Sequence, residues 1–524
     1  MAAMQAWCAR HVAEQNLKRK VGRYAAALGF IVLMFPGPIN AQKIEESNSE
    51  HGERGQHHRY KLVDIGTFGG PNSVLNGPST IDVNNQGIYA GQAETGTPDP
   101  NAPNCQNPEC LIYHAQKWQD GKAFDLGSLP GINDSGASCV NDRGIIIGGS
   151  QNGAIDPFTG LPEDHAVVWS KDGRIFDLGT LDGGTHSFAS FINNRNEIIG
   201  SYSNTTPDPY SMQFAGYQTH AFLWRDGKKA DLGTLGGPDA FPQILNDRGQ
   251  IAGASYTDNL PNSTTGVPTQ APFIWENGEM RSLGTLGGRF GYANWINSRG
   301  QVVGSSNLTG DTISHAFIWE HGTMRDMGTL GGSTAEVFKI TDEGEAVGIS
   351  DFQGDMVHHG FRWKNGALTD LKPVAGDFCT NAYGINGHGQ IVGTSTNCQG
   401  VVQHLFLWED GNIADLSTLL LPGPTIDFKD VYDINDRGEI AAAGLVANGD
   451  YHAVLLIPCD QAHSNVEGCK GHVDEMVDVG DPSNAATQSE AQISNPASPA
   501  TRVVRERKGR GYHVQGRPSR GKPQ

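Results

Sequence analysis

The chain has 524 residues, 69 of them glycine and 27 proline. That is nearly twice the ordinary glycine share of about 7% with average proline, which excludes a collagen-like or proline-rich linker protein. Charged residues make up 18% and aromatics 8%, enough for a packed core, and the net charge of −19 excludes a molecule sheathed in nucleic acid.

The charge is unevenly placed: residues 1–41 carry +4, residues 62–458 carry −24, and residues 459–524 carry +1. In chain order, Lys18, Arg19, Lys20 and Arg23 precede an apolar run from Tyr24 to Phe35. Pro36, Gly37 and Pro38 break the run, and Ala41 offers a small residue at a cleavage position. Basic, apolar, small is the order of a secretory signal, and about 12 apolar residues are too few to span a bilayer, which needs ~20. Residues 1–41 are therefore expected to be a signal peptide and 42–59 a polar linker. The expected address is extracellular or periplasmic, with no membrane span.

From residue 60 to 458 one unit recurs eight times. A representative copy runs Asp231-Leu232-Gly233-Thr234-Leu235-Gly236-Gly237, then Asn246-Asp247-Arg248-Gly249, then Phe273-Ile274-Trp275. The Asn-x-x-Gly turn starts at Asn84, Asn141, Asn246, Asn297, Asn386 and Asn435, with Asn193 and Thr341 in variant copies. Tryptophan closes seven units, at 118, 169, 224, 275, 319, 363 and 408. Each unit reads as four short strands separated by tight Asn/Asp/Gly turns, without sustained helical periodicity. A four-stranded unit of this size is a propeller blade. The array opens with Tyr60-Lys61-Leu62-Val63-Asp64, a fourth strand, and ends with His452-Ala453-Val454-Leu455-Leu456-Ile457, a third. The expected fold is an all-β propeller of eight four-stranded blades, closed by pairing first strand with last. Seven blades or an open β solenoid are the alternatives. Residues 459–524 are expected to be a disordered tail. Its last 24 residues hold eight Lys/Arg against Glu506 alone.

Cysteines close in sequence suggest three local disulfides, Cys105 with Cys110, Cys379 with Cys398, and Cys459 with Cys469. Cys139 is left as a buried thiol. No spacing fits a zinc site, so no metal and no cofactor are expected.

His220-Ala221-Phe222-Leu223-Trp224 and His315-Ala316-Phe317-Ile318-Trp319, with the recurrent Asp-Leu-Gly-Thr-Leu-Gly-Gly, resemble the extracellular HAF-repeat family of bacterial exported proteins. The resemblance covers residues 62–457. It implies export and a propeller-like fold, and no established activity. Ala271 replaces the histidine in one copy, and the last two units lack the Gly-Thr-Leu-Gly-Gly turn.

The recurrent histidines (His114, His165, His220, His315, His359, His404, His452) read as structural, bonding the Asp of Asp-Leu-Gly or the Asn-Asp turn. The tryptophans read as packing between units. Function should sit on what does not repeat. The connection between second and third strands has 22, 16, 19 and 17 residues in the first four units and 9 or 10 in the others. Strand parity puts these connections and the Gly-Thr-Leu-Gly-Gly turns on one face. Tyr202, Tyr210, Phe214, Tyr217 and Tyr256 lie among them and are the expected binding residues, for a carbohydrate or protein partner. No nucleophile motif or acid/base pair is evident, so the sequence favours a monomeric, non-enzymatic binding or envelope module, with no nucleic-acid partner. A polysaccharide hydrolase or lyase is the alternative.

Overall fold

The computed structural model describes residues 56–478, apart from 78, 79, 103, 104, 106–108, 215 and 474. The expected signal peptide, most of the linker, and the tail beyond 478 lie outside the described residues. The protein is an eight-bladed β-propeller of four-stranded antiparallel sheets. Blades one to seven occupy residues 69–125, 135–179, 187–231, 240–282, 287–328, 335–371 and 379–415. Blade eight takes three strands from 427–458, and its outermost strand is Tyr60–Asp64, paired antiparallel with Tyr451–Pro458 from Tyr60↔Pro458 to Asp64↔Val454. First and last units thus share one sheet, as the ends of the array imply.

Glycine inside the strands has a packing role that turn chemistry does not suggest. A Cβ on Gly253 would stand 2.1 Å from the Phe241 carbonyl of the innermost strand and 3.0 Å from the Phe273 ring. Gly200 and Gly304 are in the same position against Phe222 and Phe317. The Phe of each His-Ala-Phe lies over the glycine of the neighbouring strand, and Phe222, Phe273, Phe317, Phe361 and Phe406 are all fully buried. Between blades, Trp169 Nε1 donates to Leu126 O of the preceding blade at 3.0 Å.

The Asn turns do more than reverse the chain. Each Asn Oδ1 caps its own turn, while Nδ2 reaches the backbone of the next blade: Asn84 to Asn141 O (2.7 Å), Asn141 to Asn193 O (2.9 Å), Asn193 to Asn246 O (3.1 Å) and Asn246 to Asn297 O (2.9 Å). The series continues from Asn297 to Thr341 O (2.9 Å), from Asn386 to Asn435 O (2.9 Å), and from Asn435 back to Asn84 O (2.7 Å). This belt runs round the rim of the channel and is interrupted at Thr341.

Six histidines bond the Asp at or near the end of the fourth strand, in an Asp-Leu-Gly for His114, His165 and His220 and in variants of it for the other three; His315 Nδ1 lies 2.8 Å from Asp326, which also accepts from Gly328 N at 2.7 Å. His404 instead pairs with Asp377, because Asp415 caps the short 3-10 turn Leu416–Leu419. Among the described residues the disulfides are Cys105–Cys110, Cys379–Cys398 and Cys459–Cys469, and Cys139 is free and buried.

One boundary moves. Residues 459–473 and 475–478, expected in the disordered tail, are built into the fold, and so is the end of the linker. Cys459–Cys469 ties the segment, His463 is buried between Asp460 and Glu439, and Met476–Asp478 pairs with Gln56–His58.

Candidate functional site

The long connections of blades one to four rise on the face opposite the Asn belt, but the five aromatics expected to bind there are not brought together. Tyr202 and Tyr256 are buried in strands, because Ile198–Asp208 and Ile251–Tyr256 run on past Gly200 and Gly253. Tyr202 Oη donates to Asp182 at 2.9 Å, and Tyr256 Oη to Tyr210 O at 3.0 Å. Phe214 stacks on His186 with centroids 5.9 Å apart, and Tyr217 packs on Phe158 at 5.0 Å. These rings knit the wall to itself. Its hub is the fully buried Asp156, which accepts from Phe158 N (2.7 Å), Thr185 Oγ1 (3.0 Å) and His186 Nε2 (2.9 Å). Burial works against its charge, yet these bonds hold it below the usual carboxylate range. Nearby, burial pushes Asp134 and Asp164 up to about 7 and Asp239 up to about 8.

The sequence position two residues before each turn Asn is the one that faces the channel. Each regular inner strand bulges just before it, as at Ala137/Cys139 and Val431/Asp433, and the bulge turns that side chain inward. Around the ring the position reads Asp82, Cys139, Phe191, Ile244, Trp295, Lys339, Gly384, Asp433. One half of the tier is apolar and the other ionic. Phe191 meets Trp295 edge-on across the channel at 5.8 Å. Lys339 lies over the Trp295 ring at 5.0 Å and bonds Asp433 at 2.9 Å. Asp433 also accepts from Asp82 N and Val83 N. Burial, with Asp433 alongside, raises Asp82 to about 8, and burial raises the Cys139 thiol to about 12. The tier is a packed plug.

Above the plug, towards the long connections, lies a cluster that does not recur between blades. Glu336 accepts from Tyr292 Oη at 2.9 Å and Asn294 Nδ2 at 3.4 Å, and burial raises its pKa against those bonds. Asp430 accepts from Tyr432 Oη at 2.9 Å and from Tyr451 Oη. The Tyr383 ring sits 5.4 Å from that of Tyr432 and 5.4 Å from that of Phe338. The mouth of the channel thus offers tilted and edge-on aromatic rings and two tyrosine-held carboxylates, groups able to hydrogen-bond a polar ligand. Sequence reading misses them because each occurs in a single blade.

The outer part of this face is apolar and acidic. Among the described residues, nine of the twelve exposed large hydrophobic side chains lie on it, including Phe158 (62% exposed), Leu260 (76%), Met356 (83%) and Phe378 (66%). Bounded by the strands as the structure has them, the eight connections between second and third strands carry seven Asp/Glu and no Lys or Arg. Among the described residues no group of His, Cys, Asp or Glu is arranged to hold a metal ion, and no helix is long and apolar enough to cross a membrane.

No family model and no curated protein sequence matches the chain. Solved structures do. The Porphyromonas gingivalis dipeptidyl peptidase 4 aligns at 9% identity and TM-score 0.38 over 64% of this chain and 54% of the peptidase. The Pyrococcus horikoshii acylaminoacyl peptidase aligns at 10% and 0.37 over 60% and 50%. An ulvan lyase of polysaccharide lyase family PL25 aligns at 10% and 0.34 over 76% and 95%. The chain spans about half the length of the two peptidases. At these scores the similarities carry no functional argument.

Proposed function

We propose that the chain is an exported, non-enzymatic interaction module of the HAF-repeat type that holds a protein or glycan partner on its loop face. The observation that carries this reading is the concentration of exposed apolar side chains on that one face. Soluble proteins seldom leave such side chains grouped unless a surface is used. Phe158, Leu260, Met356 and Phe378 come from blades two, four, six and the connection into seven, so the partner surface extends beyond the wall of the first four repeats. Export is supported by the basic-apolar order of residues 18–41 and by three disulfides, which persist in oxidising compartments.

The test compares the whole chain with its Leu260→Glu/Met356→Glu variant on a glycan array and against secreted and envelope proteins. A partner held by the native chain and weakened at least about tenfold in the variant, with melting unchanged, is the expected result. Equal retention by both sinks the reading. The non-recurrent pair Glu336 and Asp430 favours one alternative, a polysaccharide hydrolase or lyase working at the channel mouth. Turnover of any arrayed polysaccharide that is lost in Glu336→Gln and Asp430→Asn would establish it instead.

A further inference from the structure

Three of the four long connections turn on the same dipeptide. In Asp99-Pro100, Asp156-Pro157 and Asp208-Pro209 the aspartate Oδ1 accepts the backbone N–H two residues on, at 2.7, 2.7 and 2.8 Å. Proline fixes φ for the turn and the carboxyl caps it. Each carboxyl also lies towards the next blade, at the residue just before its innermost strand: Asp134, His186 and Asp239 in turn. Between blades two and three the pairing is acid with base, Asp156 Oδ2 meeting His186 Nε2 at 2.9 Å.

Between blades three and four the same place holds two acids. Asp208 and Asp239 are both buried, their carboxyls lie within hydrogen-bonding reach of each other, and Asp208 Oδ2 receives no donor among the described residues. Asp239 also takes two N–H groups of blade three, Thr219 N at 2.9 Å and Met212 N at 2.5 Å. The other titratable group facing the pair is the Tyr256 phenol, which burial and then Asp239 and Asp208 push up, and whose Oη donates to Tyr210 O at 3.0 Å. No Lys, Arg or His among the described residues is ion-paired with either acid. Two ionised carboxylates are strongly disfavoured side by side in a buried site, so one proton stays between them. Burial chiefly, with Asp208 alongside, raises Asp239 to about 8 against the bonds from Thr219 and Met212.

We propose that this shared proton fastens the third connection to blade four, and that its release in alkaline solution frees the turn at Asp208 and reshapes the partner face. The second half rests on the reading of the loop face as a partner face. The connection that carries Leu260 leaves blade four at Tyr256, the residue that holds Tyr210. The step is an ionisation: the O–H between Asp208 and Asp239 breaks, the proton passes to water, and two carboxylates remain without a basic partner. A carboxyl raised by the fold contributes its stabilisation fully below its unfolded value, about 4, and loses it as pH rises through 8. The connection is therefore fastened in acid and neutral solution and freed above that value.

The test is amide hydrogen exchange of the full chain, read by peptide mass spectrometry at pH 6.5 and pH 9 and corrected for intrinsic exchange. Protection of residues 204–214 should fall at least about tenfold. Residues 154–162 should change less than about twofold, because burial lowers His186 and the Asp156–His186 pair keeps one charge state over this range. In Asp208→Asn the amide Oδ1 keeps the bond from Tyr210 N and Nδ2 donates to the Asp239 carboxylate, so protection at pH 9 should equal that at pH 6.5. An equal fall in Asp208→Asn, pH-independent protection in the native chain, or a matching fall at 154–162 overturns the proposal. Partner retention is measured at both pH values. Retention unchanged while the connection opens overturns the control of the partner face and leaves the proton latch standing. Absence of any partner at either pH overturns the loop-face reading alone, which hydrogen exchange does not use.

Discussion

Asp82 shows how a single carboxyl sets the pH response of this fold. Its Oδ1 accepts from Asn76 Nδ2 at 2.8 Å, its Oδ2 has no hydrogen-bond partner, and burial with the adjacent Asp433 raises it to about 8. A carboxyl raised in the folded state contributes stability that is complete below its unfolded value, about 4, and lost as pH rises through 8. Asp134, Asp164 and Asp239 act in the same direction. Asp64, Asp125, Asp177 and Asp231 act oppositely. Burial works against them too, but bonds from histidine hold them low, so their contribution is lost as pH falls below about 4. Stability should peak at mildly acidic pH and decline towards pH 9. In Asp82→Asn the amide keeps the Oδ1 bonds and puts an N–H donor beside Asp433. Melting at pH 5.5 should match the native chain, and at pH 9 the variant should be more stable by at least about 1 kcal/mol. Identical pH slopes would contradict this. Blade four supplies a natural control for the histidines: Ala271 and Ser282 replace both members of a His–Asp pair, and Ser282 Oγ still accepts from Gly284 N at 3.1 Å.

At the scale of the element, the Asn turn is both a local cap and a joint between blades. Asn246 Oδ1 accepts from Arg248 N and Gln250 N, both at 3.0 Å, and Nδ2 bonds Asn297 O and Gln250 Oε1 at 2.9 Å. Asn246→Ala leaves several buried groups unpaired and should cost about 2–4 kcal/mol. Thr341→Asn supplies the missing member of the belt and should be neutral or stabilising in the same urea titration; a comparable loss at both sites would refute the joint. The repeat, its four strands and the ring closure were legible because each is a periodic local signal. The joint was not, since Asn-x-x-Gly reads as a turn whether or not its amide reaches a neighbour. The burial of Tyr202 and Tyr256 was not legible, because a glycine reads as the end of a strand whereas Gly200 and Gly253 sit within strands beneath the Phe222 and Phe273 rings. The channel tier escaped notice because its residue changes in every unit, which reads as lack of pattern.

For the whole molecule, eight sheets form one body only because Tyr60–Asp64 completes blade eight. Leu62 is buried in that seam with Leu405, Val431 and Leu456. Leu62→Ala should cost about 2–4 kcal/mol. Because the seam joins the two ends of the array, its contacts should form after the folding transition state. The loss should then appear as faster unfolding, by roughly 30- to 900-fold, with refolding unchanged. Slowed refolding in stopped-flow measurements would place the seam early and contradict this order. The disulfide Cys459–Cys469 and the clasp of Gln56–His58 with Met476–Asp478 stand on either side of the same join.

The distance along the chain between the halves of that join has a consequence for how the protein is made. Tyr60 meets Pro458, so the loop closed is nearly the whole array, and closing it costs about 5 kcal/mol of chain entropy by length alone. Synthesis delivers Tyr60–Asp64 first and its partner last. Throughout elongation the nascent chain carries a β-strand with no mate, and the growing stack presents a bare edge. Until residue 458 emerges, the molecule is an unfinished arc exposed to pairing with a neighbouring nascent chain. The last sheet is therefore also a checkpoint, since only a chain synthesised through to its final repeat can satisfy its first strand.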